Sequence, residues 1–262
     1  MQQRQRLKLL TYNIQVGIET SAYHHYFTRA WRHVLPCPTR QENLNRTAEL
    51  LSEYDMVALQ ETDAGSVRSR YVNQVAYLAE RAGFPFYWTQ VNRNLGRFAR
   101  HSLGFLSRYE PTDVEEARLP GRIPGRGTML VRFGHGDDSL LVVVAHLSLG
   151  RRSRQQQLAF IRERIGDHPH VALMGDLNCG SADVIHASAL RDTKLRGGSH
   201  GVASYPSWRP KRHLDHILVT PGLEIHHSQV VQHHTVSDHL PLAMELSLPD
   251  KLLLQTAPVK SN

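Results

Sequence analysis

The tetrapeptide Gly175-Asp176-Leu177-Asn178 directly follows the apolar run Val171-Ala172-Leu173-Met174. A strand that ends there delivers a carboxylate and a carboxamide two residues apart, both on one face at its exposed end. A carboxylate so placed can take a proton from water or bind a hard cation through oxygen. Asp and Asn after Gly also build ordinary turns, so the tetrapeptide gains weight only from its companions. Four other polar clusters stand at strand ends: Tyr12-Asn13 after Leu9-Leu10-Thr11, Gln60-Glu61 after Val57-Ala58-Leu59, His146 after Leu140 to Ala145, and Ser237-Asp238-His239 ahead of the apolar run that begins at Leu240. A sixth element, Leu214-Asp215-His216-Ile217-Leu218, places an acid inside a strand-like run.

These groups need elements to hold them. Strand patterns run over Ser102 to Ser107, Thr128 to Phe133, Leu140 to Ala145, Val171 to Met174, Leu214 to Val219 and Leu242 to Leu248. Helical stripes run through Leu44, Ala48 and Leu51, through Val72, Val75, Ala76 and Ala79 with a stop at Gly83, and through Leu158, Ile161 and Ile165. Between Phe133 and Ser139 the sequence Gly-His-Gly-Asp-Asp reads as a hairpin turn. Hairpin-joined strands with interspersed helices predict α/β layers rather than a doubly wound parallel sheet. At 262 residues the chain can form one domain. The expected core covers residues 7–248, with a polar, poorly ordered tail over 249–262.

Taken together and in order, the clusters resemble the endonuclease/exonuclease/phosphatase superfamily, the DNase I-like metal-dependent phosphoesterases. The residues that carry the resemblance are Asn13, Gln60-Glu61, His146-Leu147, Asp176 with Asn178, Asp215 and Ser237-Asp238-His239. It implies an α+β four-layer sandwich, two stacked mixed sheets flanked by helices, and hydrolysis of a phosphoester. Under that reading Mg²⁺ or Mn²⁺ sits on Glu61 with Asn13 beside it and Asp238 at one edge. Asp176 orients or deprotonates the attacking water, and Asn178 holds the phosphate or that water. His239, its tautomer fixed by Asp215, stabilises the transition state, while His146 hydrogen-bonds the phosphate oxygens. His101 and Arg154 are expected to contact the phosphate from the rim. The run Ser102-Leu103-Gly104-Phe105 lacks the Gly-Asn-Ala of many members, and no tyrosine clearly matches the one that abasic-site nucleases place over the phosphate. Both departures count against a dedicated DNA-repair role.

The formal net charge of +7 favours an anionic partner. Nucleic acid is the favoured substrate; an anionic phospholipid, as in the sphingomyelinase-like branch, or a small-molecule diester is the alternative, and a non-catalytic binding protein on the same fold is the least favoured. Basic stretches at 93–100, 118–126 and 151–154 are candidates for a phosphate-facing rim. The segment Thr20 to Arg40 predicts an amphipathic helix with Tyr23, Phe27, Trp31 and Val34 on one stripe and a basic side. No apolar run reaches bilayer length, and Met1 to Lys8 has no signal-peptide pattern. Two cysteines, Cys37 and Cys179, are too few for a disulfide framework and suit a reducing compartment, so a cytoplasmic location is the expectation. The histidine pairs His24-His25, His226-His227 and His233-His234 read as solvated surface rather than metal sites.

Overall fold

A computed structural model describes residues 4–18, 39–122, 124–198 and 203–256. In chain order the elements are β1 Arg6–Asn13, α1 Thr39–Leu51, β2 Met56–Asp63, α2 Gln74–Ala82, β3 Phe86–Asn94, β4 Arg100–Ser107, β5 Asp113–Arg118, β6 Gly127–Phe133, β7 Leu140–His146, α3 Arg151–Ile165, β8 Val171–Asp176, α4 Ser181–Ile185, β9 Arg196–Gly197, β10 Asp215–Val219, β11 Glu224–Val230 and β12 Leu242–Ser247. They form two six-stranded sheets, ordered β11-β12-β1-β2-β4-β3 and β5-β6-β7-β8-β10-β9. Both are mixed: β1 runs parallel to β2 and β7 parallel to β8, and the remaining pairs are antiparallel.

Side-chain alternation sorts each strand between two layers. Leu7 and Leu9, Met56 and Ala58, Val142 and Val144, and Ala172 and Met174 interleave in the core between the sheets. The intervening Leu10, Val57 and Leu59 face α1 and α2 through Leu44, Ala48, Leu51, Leu78 and Ala79. On the other outer face Val143, Ala145, Val171 and Leu173 meet Leu158, Ile161 and Ile165 of α3. The result is the helix–sheet–sheet–helix stack that the sequence predicts. Local signals agree with it. Asn73 Oδ1 accepts from the backbone N–H groups of Val75 and Ala76 to start α2, and Gly83 ends it in the left-handed conformation at φ 72°. No helix among the described residues is long and apolar enough to cross a membrane.

Three expectations need correction or lie out of reach. The stretch after Pro249 is not a loose tail throughout: Leu252 is buried in the inter-sheet core, and Thr256 bridges to Tyr109. Apolar residues in that stretch, Leu252 and Leu254, supply the reason. His234 is buried rather than solvated, edge-on to Tyr12 at 5.4 Å between ring centroids and within 3.4 Å of Thr47 Oγ1. The aromatic helix expected over Thr20 to Arg40 lies, except for Thr39 and Arg40 in α1, outside the described residues, as do His24-His25 and Cys37.

Candidate active site

Strand register decides what meets at the mouth of the sandwich. In the first sheet the parallel pair β1–β2 ends with Asn13 beside Gln60. In the second, the parallel pair β7–β8 ends with His146 beside Asp176, and antiparallel β10 sets Asp215 on the far side of Asp176. The sheets are stacked, so both carboxyl ends open on one cavity.

Local backbone features then aim the side chains. A β-bulge between Leu59 and Thr62 puts Glu61 at φ +53°, turning its carboxylate out of the strand alternation and into the mouth. Gln60, buried, is tied to Thr11 by hydrogen bonds of 3.1 and 3.3 Å between their side chains. Gly175 has φ +148°, and a Cβ there would collide with the Ala145 carbonyl, so only glycine lets β8 pair so closely with β7 just before Asp176. Asn178 occupies the left-handed region at φ +53°, which asparagine tolerates best among residues with a side chain, and its Nδ2 donates to Leu147 O at 2.9 Å.

Asp176 is the hub. Its Oδ1 accepts from Asn178 N at 3.0 Å and its Oδ2 from Asn13 Nδ2 at 3.2 Å. His146 Nε2 lies 3.5 Å and His239 Nε2 3.9 Å from that second oxygen. His239 Nδ1 meets Asp215 Oδ2 at 2.8 Å, where Ser204 Oγ also donates at 2.6 Å. Ser237 Oγ fixes the Ser237-Asp238-His239 segment to β1 by donating to Asn13 O at 2.7 Å. Tyr205 packs on His239 with 4.8 Å between ring centroids.

Electrostatics separate the two histidines. Burial alone would depress His239, yet Asp215, Asp176 and Asp238 outweigh it and hold the ring well above its usual pKa, as an imidazolium. His146 is driven the other way by burial and by Arg126, whose Nη1 lies 2.7 Å from Nδ1 and 2.5 Å from Nε2; only a neutral ring accepts from a guanidinium. Asp176 is pushed up to about 7 by burial, with His239 opposing and Asp215 reinforcing the shift. Burial and Asp238 likewise raise Glu61, against His239, Arg126 and a hydrogen bond from Asn13.

The residues expected from sequence at the catalytic floor therefore converge: Asn13, Glu61, His146, Asp176, Asn178, Asp215, Asp238 and His239 all border or directly support one pocket of about 180 Å³. Two rim assignments fare differently. His101 stands in the wall of an adjoining cavity, whereas Arg154 lines neither cavity: its guanidinium donates to the carbonyls of Ser148 and Leu149 and pins the loop between β7 and α3. Three polar residues of this pocket, Arg126, Tyr205 and Arg212, have no site role in the sequence reading. Arg126 lay within a basic stretch, but nothing marked it above its neighbours; the flanking Gly125 and Gly127 are the signal that singles it out. Tyr205 and Arg212 come from the loop before β10, where only the Ser-Tyr-Pro-Ser-Trp run hints at structure. Cys179 is buried, and burial pushes its thiol up, so it packs as expected.

The model of the endonuclease/exonuclease/phosphatase family matches residues 10–239. The chain belongs to this family. Its members are metal-dependent phosphoester hydrolases, and this protein is an enzyme of that class. No curated protein matches the chain. Among solved structures, an endonuclease/exonuclease/phosphatase from Beutenbergia cavernae DSM 12333 aligns with a TM-score of 0.70 at 20% identity, over 94% of this chain and 72% of its own. Mannosyl-6-phosphatase Bt3783 of Bacteroides thetaiotaomicron VPI-5482 aligns with a TM-score of 0.66 at 16% identity, over 92% of this chain and all (100%) of its own. D. rerio TDP2, complexed with single strand DNA product, gives 0.63 at 17% identity, over 92% of this chain and 99% of its own. At these identities the likeness establishes the fold.

Proposed function

We propose that this enzyme is a Mg²⁺- or Mn²⁺-dependent phosphodiesterase that cuts nucleic acid. The observation that carries the reading is the convergence of two groups in one small pocket: the buried Asp176 carboxyl and His239, whose Nε2 lies 3.9 Å from Asp176 Oδ2 while its Nδ1 is held by Asp215.

The donor set fits a hard divalent cation. Four carboxylates, Glu61, Asp176, Asp215 and Asp238, crowd the mouth against Arg126 and the His239 cation, and burial, with Asp238 adding to it, raises the Glu61 carboxyl. Glu61 and Asp238 are the oxygen donors on that side, and Asn13 stands beside them, its Nδ2 toward the carboxylates and its Oδ1 accepting from Gln15 N. The buried group Asp176, Asp215 and His239 also has ligand-like spacing, but Asp215, Asp176 and Asp238 hold His239 as an imidazolium, which carries a proton on each ring nitrogen and has no lone pair for a metal. When bound, the cation neutralises these carboxylates and draws charge from a phosphate oxygen.

The chain's own residues do the rest. The Asp176 carboxylate accepts a proton from the attacking water while Asn13 and Asn178 hold its two oxygens in place. His239 presents its Nε2 proton to the phosphate oxygens, and Asp215 keeps that ring charged and oriented. Arg126 stands beside neutral His146 where negative charge builds on the phosphoryl group. Arg126 and Arg212 in the pocket suit a phosphate-rich, anionic substrate. The TDP2 neighbour, solved with a DNA product, supports nucleic acid, and the mannosyl-6-phosphatase is the counterweight. A substrate panel tests the reading: plasmid, single-stranded RNA, single-stranded DNA, sugar phosphate and phospholipid vesicles, each with wild type and Asp176→Asn. Metal-dependent cleavage of nucleic acid that is lost in the variant is the expected result. Hydrolysis confined to vesicles or sugar phosphate refutes the substrate class.

A further inference from the structure

A second cavity, of about 240 Å³, adjoins the catalytic pocket and shares Glu61, Arg126 and His146 with it. Its remaining walls include Asn92 and Arg93 at the end of β3 and His101 in β4. The way the Gly125-Arg126-Gly127 loop closes against β3 shows that this shape is built into the sequence. Gly125 has φ +110°, and a Cβ there would stand 3.1 Å from Cβ and 3.2 Å from Cδ of Arg93, so the arginine stem lies flat on the glycine. A Cβ on Gly127 would collide with Asn92 Oδ1 and crowd Gln90 Oε1. Two glycines thus let Arg126 stand between the two cavities with Arg93 beside it.

The lining has a definite chemistry. Neither Arg93 nor Arg126 forms an ion pair with a carboxylate among the described residues; Arg126 meets His146 through Nη1, which leaves the rest of its fork and the Arg93 guanidinium for an anion. The sole carboxylate in the wall is Glu61, which belongs to the metal side. His101 Nδ1 lies 3.4 Å from Arg68 Nη2, itself held by a buried ion pair with Asp63 at 2.5 Å. Burial and that arginine depress His101 to about 4, so the neutral ring keeps its proton on Nε2 as a donor. Asn92 Oδ1, buried without a hydrogen-bond partner among the described residues, packs against Gly127 and closes the wall between β3 and the Gly125-Arg126-Gly127 loop. The volume falls below that of pockets enclosing drug-sized ligands and suits a sugar-phosphate unit, not a duplex.

We propose that this cavity is the subsite for the phosphate and sugar one nucleotide away from the cut bond on a single polynucleotide strand, with Arg93 gripping that phosphate and Arg126 bridging to the scissile one. The proposal rests on the nucleic-acid reading above and makes the enzyme selective for substrates with two successive phosphates.

Binding without turnover isolates the subsite. In the Asp176→Asn background with Mg²⁺, fluorescence anisotropy of a labelled oligothymidylate should show Arg93→Ala weakening affinity at least ~10-fold and flattening the salt dependence by about 0.7 in log–log slope, one phosphate contact. Arg93→Gln, which keeps the stem on Gly125, should do the same and controls for misfolding. With Asp176 intact, Arg93→Gln should reduce kcat/KM on the oligonucleotide at least ~10-fold more than on bis(p-nitrophenyl) phosphate, which has one phosphate. Unchanged affinity and slope, equal losses on both substrates, or tighter binding of blunt duplex than of single strand overturns the proposal. Failure of wild type to hydrolyse any phosphodiester refutes the function instead, while the anisotropy comparison still decides the subsite.

Discussion

The floor and the rim of this site are made differently. The floor is strand ends: Asn13, Asp176, Asp215 and the Ser237-Asp238-His239 segment interlock through hydrogen bonds of 2.6 to 3.2 Å over separations as long as 224 residues. The rim is loops: Arg126 between two glycines, Tyr205 and Arg212 ahead of β10, and Arg93 with Asn92 where β3 gives out. A floor held by register cannot adjust without loss of chemistry, whereas a rim held by a few glycines can change partners while leaving the reaction intact. We infer that reaction type belongs to the first region and substrate choice to the second.

Substitutions at the floor should have the largest effect. Asp176→Asn and His239→Ala are each expected to lower kcat by about two to four orders of magnitude while circular dichroism still reports the folded protein. Near-normal turnover in either would dissolve the contrast with the rim. Gly175→Ala attacks the register itself, because its Cβ would collide with the Ala145 carbonyl; a loss of about 3 kcal/mol in urea unfolding is expected, together with lost activity. Unimpaired stability would mean that β7 and β8 do not pair as described.

Rim substitutions should act more weakly. Arg126→Ala is expected to reduce kcat/KM by about ten- to a hundredfold, and a loss as large as that of Asp176→Asn would move Arg126 into the floor. The smallest effect lies away from both regions. His234 is depressed to about 4 by burial, with Arg46 and His233 adding to it, so the fold prefers its neutral ring. Its contribution is complete above the unfolded value of about 6.5 and is lost as pH falls toward 4, amounting to about 3 kcal/mol at the limit. In His234→Gln the difference in unfolding free energy between pH 7 and pH 4.5 should shrink by about 2 kcal/mol, and an undiminished difference would place the acid sensitivity elsewhere.

The same contrast explains what could be read from the chain. Buried strands such as β7 and β8 announce themselves as apolar runs, and polar residues at their ends are conspicuous, so the floor was legible. The edge strands β3, β5 and β11 were not: Asp113–Arg118 and Glu224–Val230 carry charged, largely exposed residues that read as loop. Arg126 and Arg154 are indistinguishable by composition; only folding shows one guanidinium against His146 and the other turned onto carbonyls of its own loop. The bulge that turns Glu61 inward has no clear sequence mark either. Its place after the apolar run Val57-Ala58-Leu59 marks Glu61 in the sequence, although its aim depends on a backbone conformation inside β2 that a simple period-two reading does not anticipate.

The central claim, a divalent cation held on the Glu61 side of a pocket whose opposite wall is Asp176 and His239, is tested most directly by titrating Mg²⁺ into chelator-stripped wild type and Glu61→Gln while following hydrolysis of bis(p-nitrophenyl) phosphate. Activity should be absent without metal, return in wild type, and in the variant need at least ~10-fold more Mg²⁺ for half its maximum. Turnover that survives the chelator, or identical titrations for the two proteins, would contradict the account.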